Sequence, residues 1–234
     1  MSSPSNPPEA PALRLLRFAD RAGLQAAVEA RLREVLVTTS ATPPVVMLSG
    51  GGTPIPAYLA LAKRRLTPAP GLTVLFSDDR YVPSDSDQSN YHQSEPLFAA
   101  LGLAPEQVLR IRTELPLPEA TADSERRLAA LLGPARRITL GLLGLGADGH
   151  TASLFGAADL ERARGRLAIS VHRPDGRDAV SVTPAVLERV DQLVFMVAGP
   201  DKLTALDALL RRKEDLTAWR AVQHCQNVEI WAAP

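Results

Sequence analysis

Seven apolar runs of strand length punctuate the chain, and several are apolar without alternation: Leu13–Phe18, Val45–Ser49, Leu72–Ser77, Ile138–Leu143, Leu167–Val171, Leu193–Ala198 and Val228–Ala232. A strand wetted on one side alternates polar and apolar residues, whereas a continuous run is buried on both faces, as in parallel sheets. Between the runs lie stretches with apolar residues at steps of three and four. Asp20–Thr38 places Leu24, Val28, Leu32, Val35 and Leu36 in that rhythm, with Asp20 as its N-cap. Ser89–Leu101, Pro118–Leu132 and Asp201–Arg212 read as helices too, and Val108–Ile111 and Ala179–Thr183 as weaker strands. Strands alternating with helices predict βαβ units, hence an open, mostly parallel Rossmann-like sheet with helices on both faces, a doubly wound three-layer α/β/α fold. Right-handed crossovers then bring the strand C-terminal ends to one rim, where ligands of such sheets bind.

The 234 residues suit one large domain. Thr113–Pro118 is the only mild linker candidate, so 13–234 reads as a single α/β domain. Residues 1–12 are Pro/Ser-rich, lack the basic and apolar regions of a signal peptide, and read as a disordered tail. No apolar run approaches the roughly 20 residues that span a bilayer, so no membrane partner and a cytoplasmic location are expected. The formal net charge is zero. That removes the electrostatic case for nucleic acid, which needs a basic face. An anionic ligand must therefore be attracted locally. The single cysteine, Cys225, reads as a small buried side chain, and no Cys/His spacing suggests a metal. Monomer and small homo-oligomer are equally compatible with the sequence.

Four segments at strand exits carry candidate chemistry. Ser49-Gly50-Gly51-Gly52-Thr53-Pro54 follows a strand and opens a helix. Backbone N–H groups at such a junction, with Pro in the first turn, favour a phosphate or carboxylate. No Gly-Lys-Ser/Thr follows, so it is not a Walker loop. Asp78-Asp79-Arg80 leaves the next strand, with Ser89-Asn90-Tyr91 behind it. Either this is a surface ion pair, or Arg80 contacts ligand oxygens while an Asp holds it or a sugar hydroxyl. Gly144-Leu145-Gly146-Ala147-Asp148-Gly149-His150 leaves a third strand, and His150–Phe155 is expected to start a short helix. The glycines satisfy GxGxxG, but no acid ends the following strand, which argues against a dinucleotide. Asp148 and His150 are more informative: an imidazole takes a proton near neutrality, and a carboxylate can orient it. No GxSxG elbow or Cys/His arrangement accompanies them, which favours direct attack by water. Lys202, after Ala198-Gly199-Pro200-Asp201, is one of only three lysines and is a point charge suited to phosphate.

Together the stretches SGGGTP (49–54), DDRYVP…SNY (78–91), GLGADGHTASLF (144–155) and AGPDK (198–202) resemble the 6-phosphogluconolactonase family, in the superfamily that includes glucosamine-6-phosphate deaminase. The resemblance implies hydrolysis of 6-phospho-D-glucono-1,5-lactone to 6-phosphogluconate, in the oxidative pentose phosphate pathway, with no metal or organic cofactor. Its partner is a small phosphorylated sugar lactone. It implies His150 as the base that activates water, Asp148 beside it, and Arg80 near the lactone carbonyl. It implies Gly51–Thr53 and Lys202 as phosphate contacts. Gly50, Gly52, Thr53, Asp78, Asn90, Gly146, Gly149 and Arg177 complete the expected substrate-binding set. The chain departs from the pattern in three places. Asp79 stands where the family usually has Glu, Gly52 where it usually has Ser, and the Arg expected just before Val180-Ser181-Val182-Thr183 is missing, leaving Arg177 or Arg173 to serve. The related deaminases carry an acid five residues past the His, where this chain has Phe155. A non-catalytic sugar-phosphate sensor is the remaining alternative, in which Asp148 and His150 would be idle.

Overall fold

The computed structural model describes residues 12–234; the tail expected over 1–12 lies outside the described residues except for Ala12, which begins the first strand. In chain order the elements are β1 (Ala12–Arg17), α1 (Arg21–Val37), β2 (Val45–Leu48), α2 (Ile55–Ala62), β3 (Thr73–Phe76), β4 (Asp78–Arg80), α3 (Asn90–Leu101) and β5 (Val108–Leu109). They continue with α4 (Leu117–Leu132), β6 (Leu140–Gly144), α5 (Ala157–Arg162), β7 (Ala168–His172), β8 (Asp178–Val182), α6 (Pro184–Leu187), β9 (Leu193–Ala198), α7 (Leu203–Leu210), α8 (Thr217–Val222) and β10 (Asn227–Ala233).

Seven strands form one parallel sheet in the order β1-β10-β9-β6-β2-β3-β5. Alternate residues of each central strand enter opposite cores. From β2, Val45 and Met47 join the side packed by Leu128 of α4 and Trp219 of α8, whereas Val46 and Leu48 join the side packed by Leu24 of α1 and Tyr58 of α2. Both faces of the sheet are therefore dry, which is why its strands are continuously apolar. Helix α1 begins as expected: the Asp20 carboxylate accepts the Gly23 N–H at 2.7 Å, and Leu24, Val28, Leu32, Val35 and Leu36 are all buried. No helix among the described residues is long and apolar enough to cross a membrane.

Two expectations are corrected. Leu167–Val171 belongs not to the parallel sheet but to a second, antiparallel sheet of order β4-β8-β7. Its buried residues Ala168, Ile169, Val171, Val180 and Val182 lie against one core of the main sheet, so the run is apolar without being a central parallel strand. The stretch after His150 is not a helix. Thr151 and Leu154 form an isolated bridge, Ala152 has φ 48°, and the helix starts only at Ala157. Thr151, Ser153 and Leu154 are fully buried. A helix at a domain surface buries one stripe, and nearly consecutive buried residues do not fit that geometry.

The chain runs from β2 to β3 on one side of the sheet, while β6 lies on the other side of β2 and leads on to β9. The order thus reverses between β2 and β6. Connections leaving two adjacent strands in opposite directions open a crevice at their C-terminal ends.

Candidate active site

That crevice holds an open cavity of about 320 Å³. Ser49–Pro54 lines it from β2, Gly144–Gly146 and His150 from β6, Met196, Ala198 and Lys202 from β9 and the turn after it, and Asp78, Arg80, Asn90 and Arg173 from the side of the smaller sheet. Of the residues expected from sequence, Gly50, Gly51, Gly52, Thr53, Asp78, Arg80, Asn90, Gly146, His150 and Lys202 all line it.

The anion loop is seated from both sides. The buried Tyr58 hydroxyl donates to the Ser49 carbonyl at 3.0 Å and accepts the Ser49 N–H at 3.3 Å. Burial pushes the Tyr58 phenol well above its ordinary value, so it stays a donor. On the other side, a Cβ built at Gly50 would stand 1.8 Å from the Asn90 Oδ1, so only glycine admits Asn90 here. Among the described residues, no backbone partner takes the N–H groups of Gly51, Gly52 or Thr53. Helix α2 starts immediately beyond, with Pro54 at its N-terminal boundary. Free N–H groups at the start of a helix, with Lys202 lining the same cavity, make an anion seat.

Asn90 also organises Arg80. Its Oδ1 accepts from the Arg80 guanidinium at 2.6 Å while its Nδ2 donates to the Asp78 carbonyl at 2.8 Å. Arg80 donates further to the Gln88 carbonyl at 3.3 Å. The two neighbouring acids have different tasks. Asp78 is buried at the cavity floor, accepting from Ser77 Oγ at 3.0 Å and Ser153 Oγ at 2.6 Å. Asp79 turns away from the cavity. It accepts the N–H groups of Arg80, Asn90 and Tyr91 and the Ser89 hydroxyl, and so holds the start of α3.

Asp148 and His150 form a close pair, with Nδ1 to Oδ1 at 2.5 Å, and the His150 N–H donates to the same oxygen at 3.2 Å. Burial pushes the Asp148 carboxyl up, but the His150 ring hydrogen bond, the His150 N–H and the imidazole charge outweigh it and hold the group below the ordinary Asp range. An ionised carboxylate only accepts, so the proton of a neutral His150 sits on Nδ1 and Nε2 is the basic nitrogen. The pair exists because residue 146 has no side chain: a Cβ there would stand 2.1 Å from His150 Nδ1 and 2.4 Å from Asp148 Oδ1.

Asp148, Gly149 and Arg177 do not line the cavity. Asp148 stands behind His150 with its side chain more than half exposed. Gly149 faces Leu216, and its carbonyl accepts the Ala218 N–H, so it anchors the loop to α8. Arg177 pairs with Asp175 and lines a shallow neighbouring depression beyond Gly51 and Gly52. Arg173 is the one of the two arginines that reaches the cavity. It is held by Ser153 Oγ at 3.0 Å, by Asp175 at 3.3 Å, and by Asp78 at 3.9 Å. It comes from the end of β7, next in the sheet to β8, the strand beside which the family resemblance places an arginine. Tyr58 and Ser153 carry no signal in the sequence that marks them for the site, although Ser153 lies within the longest of the four stretches, and Phe155 stands out there only as the replacement of the deaminase acid. Among the described residues no three His, Cys, Asp or Glu side chains are grouped to hold a metal.

The family model for glucosamine-6-phosphate isomerases/6-phosphogluconolactonase matches residues 19–231. The chain is 33% identical to 6-phosphogluconolactonase of Thermotoga maritima over 170 residues, 71% of this chain and 74% of that one. It is 35% identical to 6-phosphogluconolactonase of Synechocystis over 181 residues, 73% and 72% of the two chains. The crystal structure of the Thermotoga maritima 6-phosphogluconolactonase matches with a TM-score of 0.78 at 26% identity, covering 94% of this chain and 100% of that one. With its sheet order, its crevice and these relatives together, the chain belongs to the glucosamine-6-phosphate isomerase/6-phosphogluconolactonase family.

Proposed function

We propose that this chain hydrolyses 6-phospho-D-glucono-1,5-lactone to 6-phosphogluconate, with His150 activating the attacking water and no covalent intermediate. The family joins isomerases and lactonases, so the reaction must be argued from residues. The observation that carries it is the Asp148–His150 pair, which leaves Nε2 as the basic nitrogen, at a cavity also lined by the anion loop and Lys202.

The phosphate sits on the N–H groups of Gly51, Gly52 and Thr53 with Lys202 as counter-charge. Its binding energy positions the lactone at the other end of the cavity. Water, losing a proton to His150 Nε2, attacks the lactone carbonyl carbon. Negative charge gathers on the carbonyl oxygen, where Arg80 donates; one such donor is worth roughly 3–4 kcal/mol in comparable sites. Collapse of the tetrahedral species breaks the bond to the ring oxygen, which takes the proton back from His150 and leaves as a hydroxyl. Asp148 keeps the proton on Nδ1 and stabilises the imidazolium between the two transfers. The proton-shuttling acid of the deaminases has no counterpart here, since its position is Phe155, whose ring packs on His150.

The test is His150→Gln assayed on freshly generated lactone, corrected for spontaneous opening. Turnover falls at least about 100-fold while affinity for 6-phosphogluconate stays within a few-fold. Wild-type turnover in that variant removes His150 from the mechanism, and ammonia release from glucosamine 6-phosphate by the native protein replaces the lactonase reading with deamination.

A further inference from the structure

Phe155 is the point where two side chains of the cavity, His150 and Arg173, meet. Its ring centroid lies 4.4 Å from that of His150 with the planes 39° apart, and the Arg173 guanidinium carbon lies 5.2 Å over the same ring. The backbone that carries the ring is tied on both sides. The Phe155 N–H donates to Asp159 Oδ2 at 2.8 Å, and its carbonyl accepts from the Thr217 hydroxyl at 3.4 Å, which joins it to the starts of α5 and α8. The neighbouring Ser153 holds Arg173 by a second contact and Asp78 by a third.

These two partners need such a support. The Asp148 carboxylate that orients His150 is itself mostly in solvent, and a hydrogen bond to an exposed carboxylate fixes a ring's distance better than its plane. Arg173 has several staggered torsions to settle and a carboxylate on two sides, Asp175 and Asp78. An aromatic face satisfies both: it packs against an imidazole edge or face and attracts a guanidinium. It contributes nothing to proton transfer and touches no reacting atom.

We propose that Phe155 is a positioning residue, which sets the plane of the His150 imidazole and the seat of Arg173 from one anchored ring, so that base and cation face the substrate together. The proposal rests on His150 acting as the base and goes beyond it in assigning what aims it. Phe155→Met keeps the bulk and removes the π-face; Phe155→Tyr keeps the face; Phe155→Leu shortens the side chain.

In the full-length protein, kcat for lactone opening falls about 10-fold or more in Phe155→Met and Phe155→Leu, with KM changed by less than about threefold, as a misaimed catalytic group predicts. Phe155→Tyr stays within about twofold of wild type. Nitrogen-15 spectra of the neutral imidazole show one Nδ1–H tautomer in wild type and Phe155→Tyr, and a mixture in Phe155→Met. Wild-type kcat in Phe155→Met, or an equal loss in Phe155→Tyr, overturns the proposal, and so does a KM rise with kcat intact. If Phe155→Leu fails to fold, the Met and Tyr pair decides. The two ideas fail separately: active His150→Gln sinks the base, whereas inactive His150→Gln beside fully active Phe155→Met sinks only the positioning role.

Discussion

At the scale of single residues, the site is built as much by missing atoms as by present ones. Gly146 and Gly50 each leave a space that a functional side chain fills, His150 with Asp148 in one case and Asn90 in the other. Gly146→Ala tests this directly. The added methyl would overlap His150 Nδ1, so the pair must separate or the loop must shift. Turnover on the lactone is expected to fall on the order of 100-fold, the cost of roughly 1 Å of misplacement, while the melting temperature moves by only a few degrees. Thermal unfolding beside the kinetic assay reads both. An alanine variant with wild-type turnover would show that the close approach carries no catalytic weight.

At the scale of elements, Asp79 does for α3 what an N-cap does, with two carboxylate oxygens in place of one. It takes the N–H groups of Asn90 and Tyr91 and the hydroxyl of Ser89, which itself accepts the His92 N–H. The shorter Asp in place of the family's usual Glu therefore bears on the aim of Asn90 and, through it, of Arg80, rather than on the ligand. Burial pushes the Asp79 carboxyl up to about 6, with the charge of Asp78 adding to it, against the pull of these donors. The folded state thus holds this proton more tightly than the unfolded chain does. The stability it contributes is full below about pH 4 and is lost as pH rises through about 6. Asp79→Asn does not titrate, so the margin of wild type over this variant narrows between pH 4 and pH 7, by on the order of 3 kcal/mol. Denaturant unfolding of both proteins across that range measures it; parallel stability curves would show that Asp79 titrates as in the unfolded chain.

At the scale of the whole molecule, the cavity draws on two sheets. The parallel sheet supplies the anion loop, the His150 loop and Lys202 at its rim, and the antiparallel sheet supplies Asp78, Arg80 and Arg173. Ser153 binds Asp78 and Arg173 together across their interface. A ligand that fills the cavity therefore stabilises the fold as a unit. Saturating 6-phosphogluconate, at about a hundred times its dissociation constant, adds roughly 2.7 kcal/mol, seen as a higher melting temperature. His150→Gln keeps this shift and Lys202→Ala loses most of it. No shift in the wild-type protein at any millimolar concentration would sink the anion seat.

Periodicity and local chemistry were enough, from sequence alone, for the layered parallel fold, the cap of α1, and the gathering of 49–54, 144–150 and 198–202 at one rim. These follow from contacts along the chain and from a connection rule that leaves strand ends little choice. Tertiary structure alone decided that Leu167–Val171 pairs antiparallel with β8, because an apolar run reports burial and not the partner that causes it. It alone decided that Arg173 rather than Arg177 reaches the cavity, since both lie in one short hairpin and differ only in which way the turn aims them. It also turned His150–Phe155 from a helix into a buried turn and made Phe155 a neighbour of both His150 and Arg173. Pairings of that kind, across 20 or 75 positions of chain, are set by packing between layers, which no local pattern records.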